Sequence, residues 1–177
     1  VGLNFTATSR RRVDPGTARA ILAEVPDHVL TVGVFRDQPV DEVLTLVDGL
    51  GLRGAQLHGD EPPETATAVA DRVGTLIRAV VDGADLPDGH GVDIVLVDGP
   101  DPGSGRAGDW GRARDLTEHH RVLLAGGLGP DNVGEAVRLV RPWGVDVASG
   151  VESEPGRKDP DAMAVFVAAA RVAEESP

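Results

Sequence analysis

The sequence predicts a parallel α/β barrel of the (β/α)8, or TIM-barrel, class with seven of its eight strands present. Short apolar runs rich in Val, Leu and Ile alternate with longer segments of helical period, which is typical of βα units around a parallel sheet. Two late strands end in similar Gly-rich turns. Because the chain begins directly on a strand, we expect residues 1–177 to form a single, N-terminally truncated barrel domain that lacks its first βα unit.

The elements follow from this alternation. The predicted strands are Val1–Phe5, Val29–Phe35, Gly54–Leu57, Thr75–Ala79, Asp93–Val97, Arg121–Leu124 and Gly144–Val147. The predicted helices are Pro15–Glu24, Val40–Leu50, Pro62–Val73, Trp110–His119, Pro130–Val140 and Pro160–Ala173. Several helices begin with proline in the first turn, where a backbone N–H lacks a partner in any case. The residues before these prolines are Asp14, Glu61, Gly129 and Asp159. The segment from Val81 to Gly91 is rich in Gly, Pro and Asp and predicts a loop or a single turn.

Charge and composition narrow the class of ligand. The net charge of -12 argues against sequence-independent binding to nucleic acid or to an anionic membrane, because both need a basic surface. The chain has no cysteine, and its histidines show no metal-ligand spacing. No stretch approaches about 20 apolar residues, and no signal peptide is recognisable. We expect a cytoplasmic protein with a small-molecule ligand and neither a metal nor a cofactor.

A phosphate site is predicted where two strands end in glycine. Gly126 and Gly127 follow one strand, and Ser149 and Gly150 follow the next. In barrels of this class the loops after the last two strands commonly hold phosphate, because glycine lets backbone N–H groups approach the oxygens. The alternative is that these glycines only form tight turns. Ser149 adds a hydroxyl donor, and the repeated pattern favours the phosphate site.

Asp98 is the candidate general acid. It ends the apolar run that begins at Asp93, which places a carboxyl group at the end of a strand where catalytic groups lie in such barrels. Partial withdrawal from water would suit this carboxyl group to acid catalysis near neutral pH. The alternative is a cap on the loop before Gly99 and Pro100.

Two further candidates follow earlier strands. His58 lies in the stretch Gln56-Leu57-His58-Gly59-Asp60-Glu61, where it contacts a ligand or acts as a structural hydrogen-bonding group. Arg10, Arg11 and Arg12 form a dense basic cluster in an acidic chain. One guanidinium turned inward would bind a carboxylate through two hydrogen bonds, and the alternative leaves all three solvated.

The segment Gly103-Ser104-Gly105-Arg106-Ala107-Gly108 matches the dinucleotide-binding pattern GxGxxG. That fingerprint needs its first glycine tight against a strand and an acidic residue at the end of the next strand. Here Gly99-Pro100-Asp101-Pro102 intervenes, and the next strand ends in Ala125-Gly126-Gly127. We therefore predict a mobile loop that covers the site and not a Rossmann nucleotide site.

Several motifs occur together in one order along nearly the whole chain. They are Gly2-Leu3-Asn4-Phe5 with Ser9-Arg10-Arg11-Arg12-Val13, Val32-Gly33-Val34-Phe35, Gln56-Leu57-His58-Gly59-Asp60-Glu61, Val97-Asp98 with Gly103-Ser104-Gly105 and Asp109-Trp110, Leu124-Ala125-Gly126-Gly127-Leu128 with Asn132-Val133, and Val145-Asp146-Val147-Ala148-Ser149-Gly150-Val151-Glu152 with Gly156, Lys158 and Asp159. In this order they resemble the phosphoribosylanthranilate isomerases, barrel enzymes of tryptophan biosynthesis.

The resemblance implies an Amadori rearrangement of N-(5-phosphoribosyl)anthranilate, a phosphorylated aminosugar, to 1-(2-carboxyphenylamino)-1-deoxyribulose 5-phosphate. By the family's pattern, Asp98 would protonate the ring oxygen, and Arg11 would bind the anthranilate carboxylate. The ribose phosphate would be held by Gly126, Gly127, Ser149 and Gly150.

Two departures from the family's pattern affect this interpretation. The proline of its Ser-Pro-Arg pattern is Arg10 here, which leaves the choice between Arg11 and its neighbours open. The family's first strand carries a Lys-Ile-Cys-Gly motif whose cysteine removes the sugar C2 proton, and this chain has no cysteine. We therefore expect the 177-residue chain to be inactive or nearly so, and an extension bearing that motif to restore turnover.

Two rival functions stay open: a non-catalytic barrel module that binds a phosphorylated ligand, and a neighbouring barrel enzyme of histidine or tryptophan synthesis. The exposed edges of a seven-stranded barrel leave dimerisation, strand swapping and aggregation as alternatives for its assembly.

Overall fold

The computed structural model describes residues 1–81, 91–99 and 110–174. They form an α/β fold in which parallel strands alternate with helices, as the sequence predicts. The described residues pack as two compact units, one of residues 1–79 and 91–94 and one of residues 80–81, 95–99 and 110–174. In the described part of the chain, no helix is both long enough and apolar enough to cross a membrane.

The first unit is built on four parallel strands that pair in chain order. Its elements are β1 (Gly2–Asn4), α1 (Pro15–Glu24), β2 (Val32–Phe35), α2 (Val40–Leu50), β3 (Gly54–Leu57), α3 (Pro63–Ala70) and β4 (Thr75–Val81), whose last two residues belong to the second unit. The register places Leu3 opposite Gly33 and Ala55 opposite Leu76. Phe35 is fully buried, and its ring stacks on Phe5 with 5.6 Å between the ring centroids. The apolar positions of these strands therefore form the core of this unit.

The second unit continues the alternation and ends in a hairpin and a long helix. Its elements are β5 (Ile94–Asp98), whose first residue belongs to the first unit, α4 (Trp110–Leu116), β6 (Val122–Leu124), α5 (Val133–Val140), β7 (Gly144–Val145), a 3-10 helix (Ser149–Val151), β8 (Glu152–Glu154), β9 (Arg157–Lys158) and α6 (Pro160–Glu174). Strands β5, β6 and β7 are parallel, whereas β8 and β9 pair antiparallel.

Most elements lie where the periodicity places them. The bounds of α1, α2 and β3 match the prediction residue for residue. Helix α5 begins at Val133 and not at Pro130, because the three residues before it form a turn held by the Asn132 side chain. The 3-10 helix and the β8–β9 hairpin were not predicted, since their short polar stretches carry no helix or strand period.

Helix capping follows the predicted pattern in part. Asp14 and Asp159 accept hydrogen bonds from backbone N–H groups in the first turns of α1 and α6. Glu61 does not cap α3, whose N-cap residue is Pro62. Its carboxylate is used elsewhere, in an ion pair with Arg78. Of the predicted loop from Val81 to Gly91, Val81 belongs to β4, Gly91 lies in a turn, and residues 82–90 lie outside the described residues.

Candidate active site

Asp98 is the last residue of β5 and is 8% exposed. Its Oδ1 atom accepts a hydrogen bond of 2.8 Å from the backbone N–H of Gly99. The carboxyl group therefore lies at the C-terminal end of a buried strand, where the sequence predicts it and where groups that act on a ligand lie in parallel α/β folds.

Gly126 packs directly against the turn that follows Asp98. Its φ of 80° lies in the left-handed region that glycine adopts without strain. A Cβ atom at this position would overlap the backbone N of Gly99, lie 2.7 Å from the Gly99 Cα and lie 3.0 Å from Asp98 Oδ1. The absence of a side chain at Gly126 thus lets the ends of β5 and β6 meet.

The turn after Gly126 is held by a side chain that the sequence analysis gave no role. Asn132 donates from Nδ2 to the Gly127 carbonyl at 2.9 Å and accepts at Oδ1 from the Gly129 N–H at 2.8 Å. Gly127 has a φ of 66°, so this turn also needs glycine. Asn132 therefore shapes the backbone between β6 and α5.

The second predicted loop lies against the first. Ser149 and Gly150 are exposed and begin the 3-10 helix. A Cβ atom on Gly150 would overlap the Leu128 carbonyl oxygen and lie 3.0 Å from the Gly129 Cα. The structure therefore brings together all five site residues predicted in this unit: Asp98, Gly126, Gly127, Ser149 and Gly150.

Lys158 fastens this second loop from the β8–β9 hairpin. Its Nζ atom donates to the Ala148 carbonyl at 2.6 Å and lies 2.9 Å from Glu152 Oε1. The Glu152 side chain is 5% exposed and so needs a cationic partner. Lys158 is the second residue of this unit that the sequence analysis left without a role.

His58 follows β3 in the first unit and is half-buried. Its Nδ1 atom lies 2.8 Å from Gln56 Nε2. Because an amide nitrogen can only donate, Nδ1 accepts this bond, and the proton of the neutral ring lies on Nε2. The backbone N–H of His58 also donates to the Phe35 carbonyl at 2.9 Å, so this residue is bound to the end of β2.

A buried ion pair between Arg78 and Glu61 lies next to the loop that follows β3, and the sequence pattern did not predict it. Arg78 Nη1 lies 2.7 Å from Glu61 Oε2, with side chains that are 6% and 2% exposed. Arg78 Nη2 donates to the carbonyls of Gly59 and Glu61. The signal in the sequence is an arginine inside the apolar strand Leu76-Ile77-Arg78-Ala79-Val80, because a buried cation requires an acidic partner.

The arginine cluster follows β1. Arg11 is half-buried, whereas Arg10 and Arg12 are exposed. The Arg11 N–H donates to Ser9 Oγ at 3.1 Å, and Arg12 forms an isolated bridge with Asn4. Arg11 is therefore less exposed than its two neighbours in the cluster.

Two further predictions concern the glycine-rich segment and a metal site. The glycine-rich segment 103–108, predicted to cover the site, lies outside the described residues. Within residues 1–81, 91–99 and 110–174, no cluster of three or more His, Asp or Glu side chains has the arrangement of a metal site.

Several known proteins are similar to this chain in both sequence and fold. The family model for N-(5'phosphoribosyl)anthranilate (PRA) isomerase matches residues 1–169. The N-(5'-phosphoribosyl)anthranilate isomerase of Myxococcus xanthus is 42% identical over 180 residues, covering 97% of this chain and 85% of the relative. The crystal structure of phosphoribosyl anthranilate isomerase from Thermus thermophilus matches with a TM-score of 0.88 at 40% identity, covering 97% of this chain and 86% of that one. A phosphoribosyl anthranilate isomerase in complex with reduced 1-(o-carboxyphenylamino)-1-deoxyribulose 5-phosphate matches with a TM-score of 0.82 at 33% identity, covering 97% and 87%. This chain belongs to the N-(5'-phosphoribosyl)anthranilate isomerase family.

Proposed function

We propose that this protein catalyses the Amadori rearrangement of N-(5-phosphoribosyl)anthranilate to 1-(2-carboxyphenylamino)-1-deoxyribulose 5-phosphate, in the cytoplasm. The observation that carries the proposal is the meeting of three strand ends in the second unit. Gly126 packs on the turn after Asp98, and Gly150 packs on the backbone of Leu128 and Gly129. An acid and two glycine loops are thus adjacent in a chain whose relatives are named for this reaction.

The ribose phosphate is assigned to the glycine loops. Gly126 and Gly127 adopt positive φ, which turns the backbone in a way that lets N–H groups face an anion. Ser149 and Gly150 are exposed, and Ser149 adds a hydroxyl donor. This arrangement supports a phosphate site made of backbone donors and one side chain, without a metal or a cofactor.

Asp98 is assigned the role of general acid. Protonation of the ring oxygen by its carboxyl group opens the ribose ring and leaves a Schiff base between the sugar C1 and the anthranilate nitrogen. Loss of the C2 proton then gives an enolamine, which becomes the ketose when C1 is protonated and the C2 hydroxyl gives up its proton. The burial of Asp98 at the end of β5 supports this role, since a low-dielectric site strengthens its hydrogen bond to the substrate.

Arg11 and His58 are assigned to the substrate in the first unit. Arg11 would bind the anthranilate carboxylate through two hydrogen bonds, and its half-burial next to exposed Arg10 and Arg12 supports this choice. His58 would contact the ligand through its imidazole, whose tautomer is set by Gln56.

We further propose that adding a βα unit with the family's Lys-Ile-Cys-Gly motif ahead of Val1 raises turnover. The cysteine would remove the C2 proton, a role that no residue of these 177 can fill as a thiolate because the chain has no cysteine. One apolar face of α6 supports such a unit, since Val165 and Val172, which lie seven residues apart on the same side of the helix, are 56% and 66% exposed.

An isomerase assay on two chains tests this proposal. The 177-residue chain should bind the reduced product analogue in calorimetry but turn over substrate at least about 10²-fold more slowly than the extended chain. Asp98→Asn in the extended chain should abolish most turnover while binding of the analogue persists. The rival function, a non-catalytic module for phosphorylated ligands, predicts binding by both chains and turnover by neither, and that outcome would refute the isomerase assignment.

A further inference from the structure

We propose that Glu61 and Arg78 are positioning residues for the reaction, because their buried ion pair sets the place of the loop that carries His58. This inference rests on the proposed function, in which His58 contacts the substrate. The loop, residues 58–61, joins the end of β3 to the turn before α3. Glu61 and Arg78 together form a clamp on this loop.

The clamp holds backbone groups from two strand ends. Glu61 Oε1 accepts from the N–H of Asp37 at 3.0 Å, just after β2, and both carboxylate oxygens accept from the N–H of Gly59. Arg78, on β4, donates to the carbonyl of Gly59 at 3.1 Å and to that of Glu61 at 3.0 Å. Both the N–H and the carbonyl of Gly59 are therefore bound by the clamp. Gly59 directly follows His58, so the clamp determines where the imidazole is presented.

Asp37, in the turn after β2, is held against its local backbone preference. Its φ is 54°, a value that a residue with a side chain seldom adopts. Its N–H is bound by Glu61, and its Oδ1 accepts from the Asp60 N–H at 2.7 Å. A Cβ atom on Gly59 would lie 2.8 Å from Asp37 Oδ2, so the Asp37 carboxylate packs against the Gly59 backbone. Such conformations persist only where surrounding contacts over-determine them, which is typical of functional loops.

A stabilising role alone does not account for the arrangement. A buried ion pair can often be replaced by apolar side chains without loss of stability, because desolvation of the charges offsets much of their attraction. Here the two charged side chains make six hydrogen bonds to the backbone or to each other, counted from the described contacts. Apolar replacements would fill the volume but release the backbone of Asp37 and Gly59.

The test uses the double variant Glu61→Met/Arg78→Met in the 177-residue chain. Its thermal unfolding should stay cooperative, with a lower melting temperature because the N–H and carbonyl groups of Gly59 lose their partners. Its affinity for reduced 1-(o-carboxyphenylamino)-1-deoxyribulose 5-phosphate, measured well below the transition, should fall about tenfold. Its affinity for inorganic phosphate, which is assigned to the other unit, should not change. The ¹⁵N shifts of the His58 imidazole should differ from those of the parent, because the clamp no longer holds the backbone of Gly59.

Two comparison variants sharpen the test. Arg78→Lys keeps a cation beside Glu61 and should bind the analogue within about threefold of the parent, because the ammonium retains three donors. The exposed pair of Arg72 and Asp48, at 2.9 Å in the same unit, is the matched control. Asp48→Met/Arg72→Met should leave both the analogue affinity and the His58 signals unchanged.

Parent-like affinity for the analogue in the Glu61→Met/Arg78→Met variant would overturn the inference. If that variant does not fold, Glu61→Gln replaces it. The amide keeps one oxygen acceptor for Asp37 and Gly59 but turns a donor toward Arg78 Nη1, which breaks the pair. Its affinity for the analogue should fall as well, and a parent-like affinity would overturn the inference. If the parent itself does not bind the analogue, the proposed function fails. The clamp is then judged by the His58 imidazole alone, where unchanged ¹⁵N shifts refute it and altered shifts support it.

Discussion

Gly126 must be glycine for two reasons, its backbone conformation and its close approach to Gly99. Its φ of 80° disfavours any L side chain, and a Cβ atom would overlap the backbone N of Gly99. We expect Gly126→Ala to lower the free energy of unfolding by more than about 2 kcal/mol and to weaken phosphate binding about tenfold. Urea unfolding and calorimetry with inorganic phosphate measure the two effects.

Gly49 provides the matched control for that substitution. It lies inside α2, and a Cβ atom there would contact nothing within 4 Å. Gly49→Ala should raise the free energy of unfolding by about 0.5–1 kcal/mol, because alanine loses less conformational entropy in a helix. Equal effects at the two positions would contradict the assignment of Gly126 to a close backbone approach.

Asp14 connects stability to pH through the N-terminus of α1. The hydrogen bond from the Thr17 hydroxyl, with those from the N–H groups of Thr17 and Gly16, lowers the pKa of Asp14 below its usual 3.8. A carboxyl pKa that is lowered by folding stabilises the protein above about pH 3.8, and this contribution is lost as the pH falls through the folded-state value.

Asp14→Ala should therefore lower the melting temperature at pH 7, and the deficit should shrink at pH 3. Asp14→Asn keeps an oxygen acceptor for Gly16 and Thr17 but has no charge. Its melting temperature should approach that of the parent at pH 3 and fall below it at pH 7. Thermal melts followed by circular dichroism at both pH values test this, and a deficit of Asp14→Ala that is independent of pH would refute it.

At the scale of elements, the turn between β6 and α5 depends on one side chain. Asn132 donates to the Gly127 carbonyl and accepts from the Gly129 N–H. Asn132→Ala removes both bonds and should cost about 1–2 kcal/mol in the free energy of unfolding, with a weaker affinity for inorganic phosphate.

Asn132→Asp is the informative partner of that variant. It keeps the acceptor for Gly129 but loses the donor to Gly127, and it adds a negative charge next to the proposed phosphate. Stability should be largely retained while phosphate affinity falls further than in Asn132→Ala. Calorimetry at constant pH compares the phosphate affinities of the two variants. An unchanged affinity in both would show that Asn132 does not contribute to the phosphate site.

At the scale of the whole molecule, we expect the added βα unit to cover the apolar face of α6 that Val165 and Val172 form. Val165 and Val172 are 56% and 66% exposed. In the 177-residue chain, Val165→Gln and Val172→Gln should change the free energy of unfolding by less than about 0.5 kcal/mol. In the extended chain the same changes should cost about 1–3 kcal/mol, because each amide would then be buried without a partner.

Exposed Arg171, on the same helix, is the control for that comparison. Arg171→Gln should be neutral in both chains. Urea unfolding of all variants in both chains measures the difference. If Val165→Gln and Val172→Gln are as neutral in the extended chain as in the shorter one, the added unit does not cover α6.

Much of this architecture follows from local pattern. The alternation of apolar runs and helical segments predicts the strands and helices, and α1, α2 and β3 match residue for residue. Asp98 and the two glycine loops are recognisable because catalytic and phosphate-binding groups collect at strand ends in parallel folds. The roles of these residues, and those of Arg11 and His58, stay predictions that binding and turnover will decide.

Period and residue type within short segments suffice to predict the alternation of elements, the fold class and the positions of the candidate acid and glycines. Which distant groups meet depends instead on tertiary packing. Gly150 packs on Leu128, Arg78 pairs with Glu61, and Lys158 holds Ala148. These contacts join residues from different elements, so no local period encodes them, and they arise only when packing brings the strand ends together.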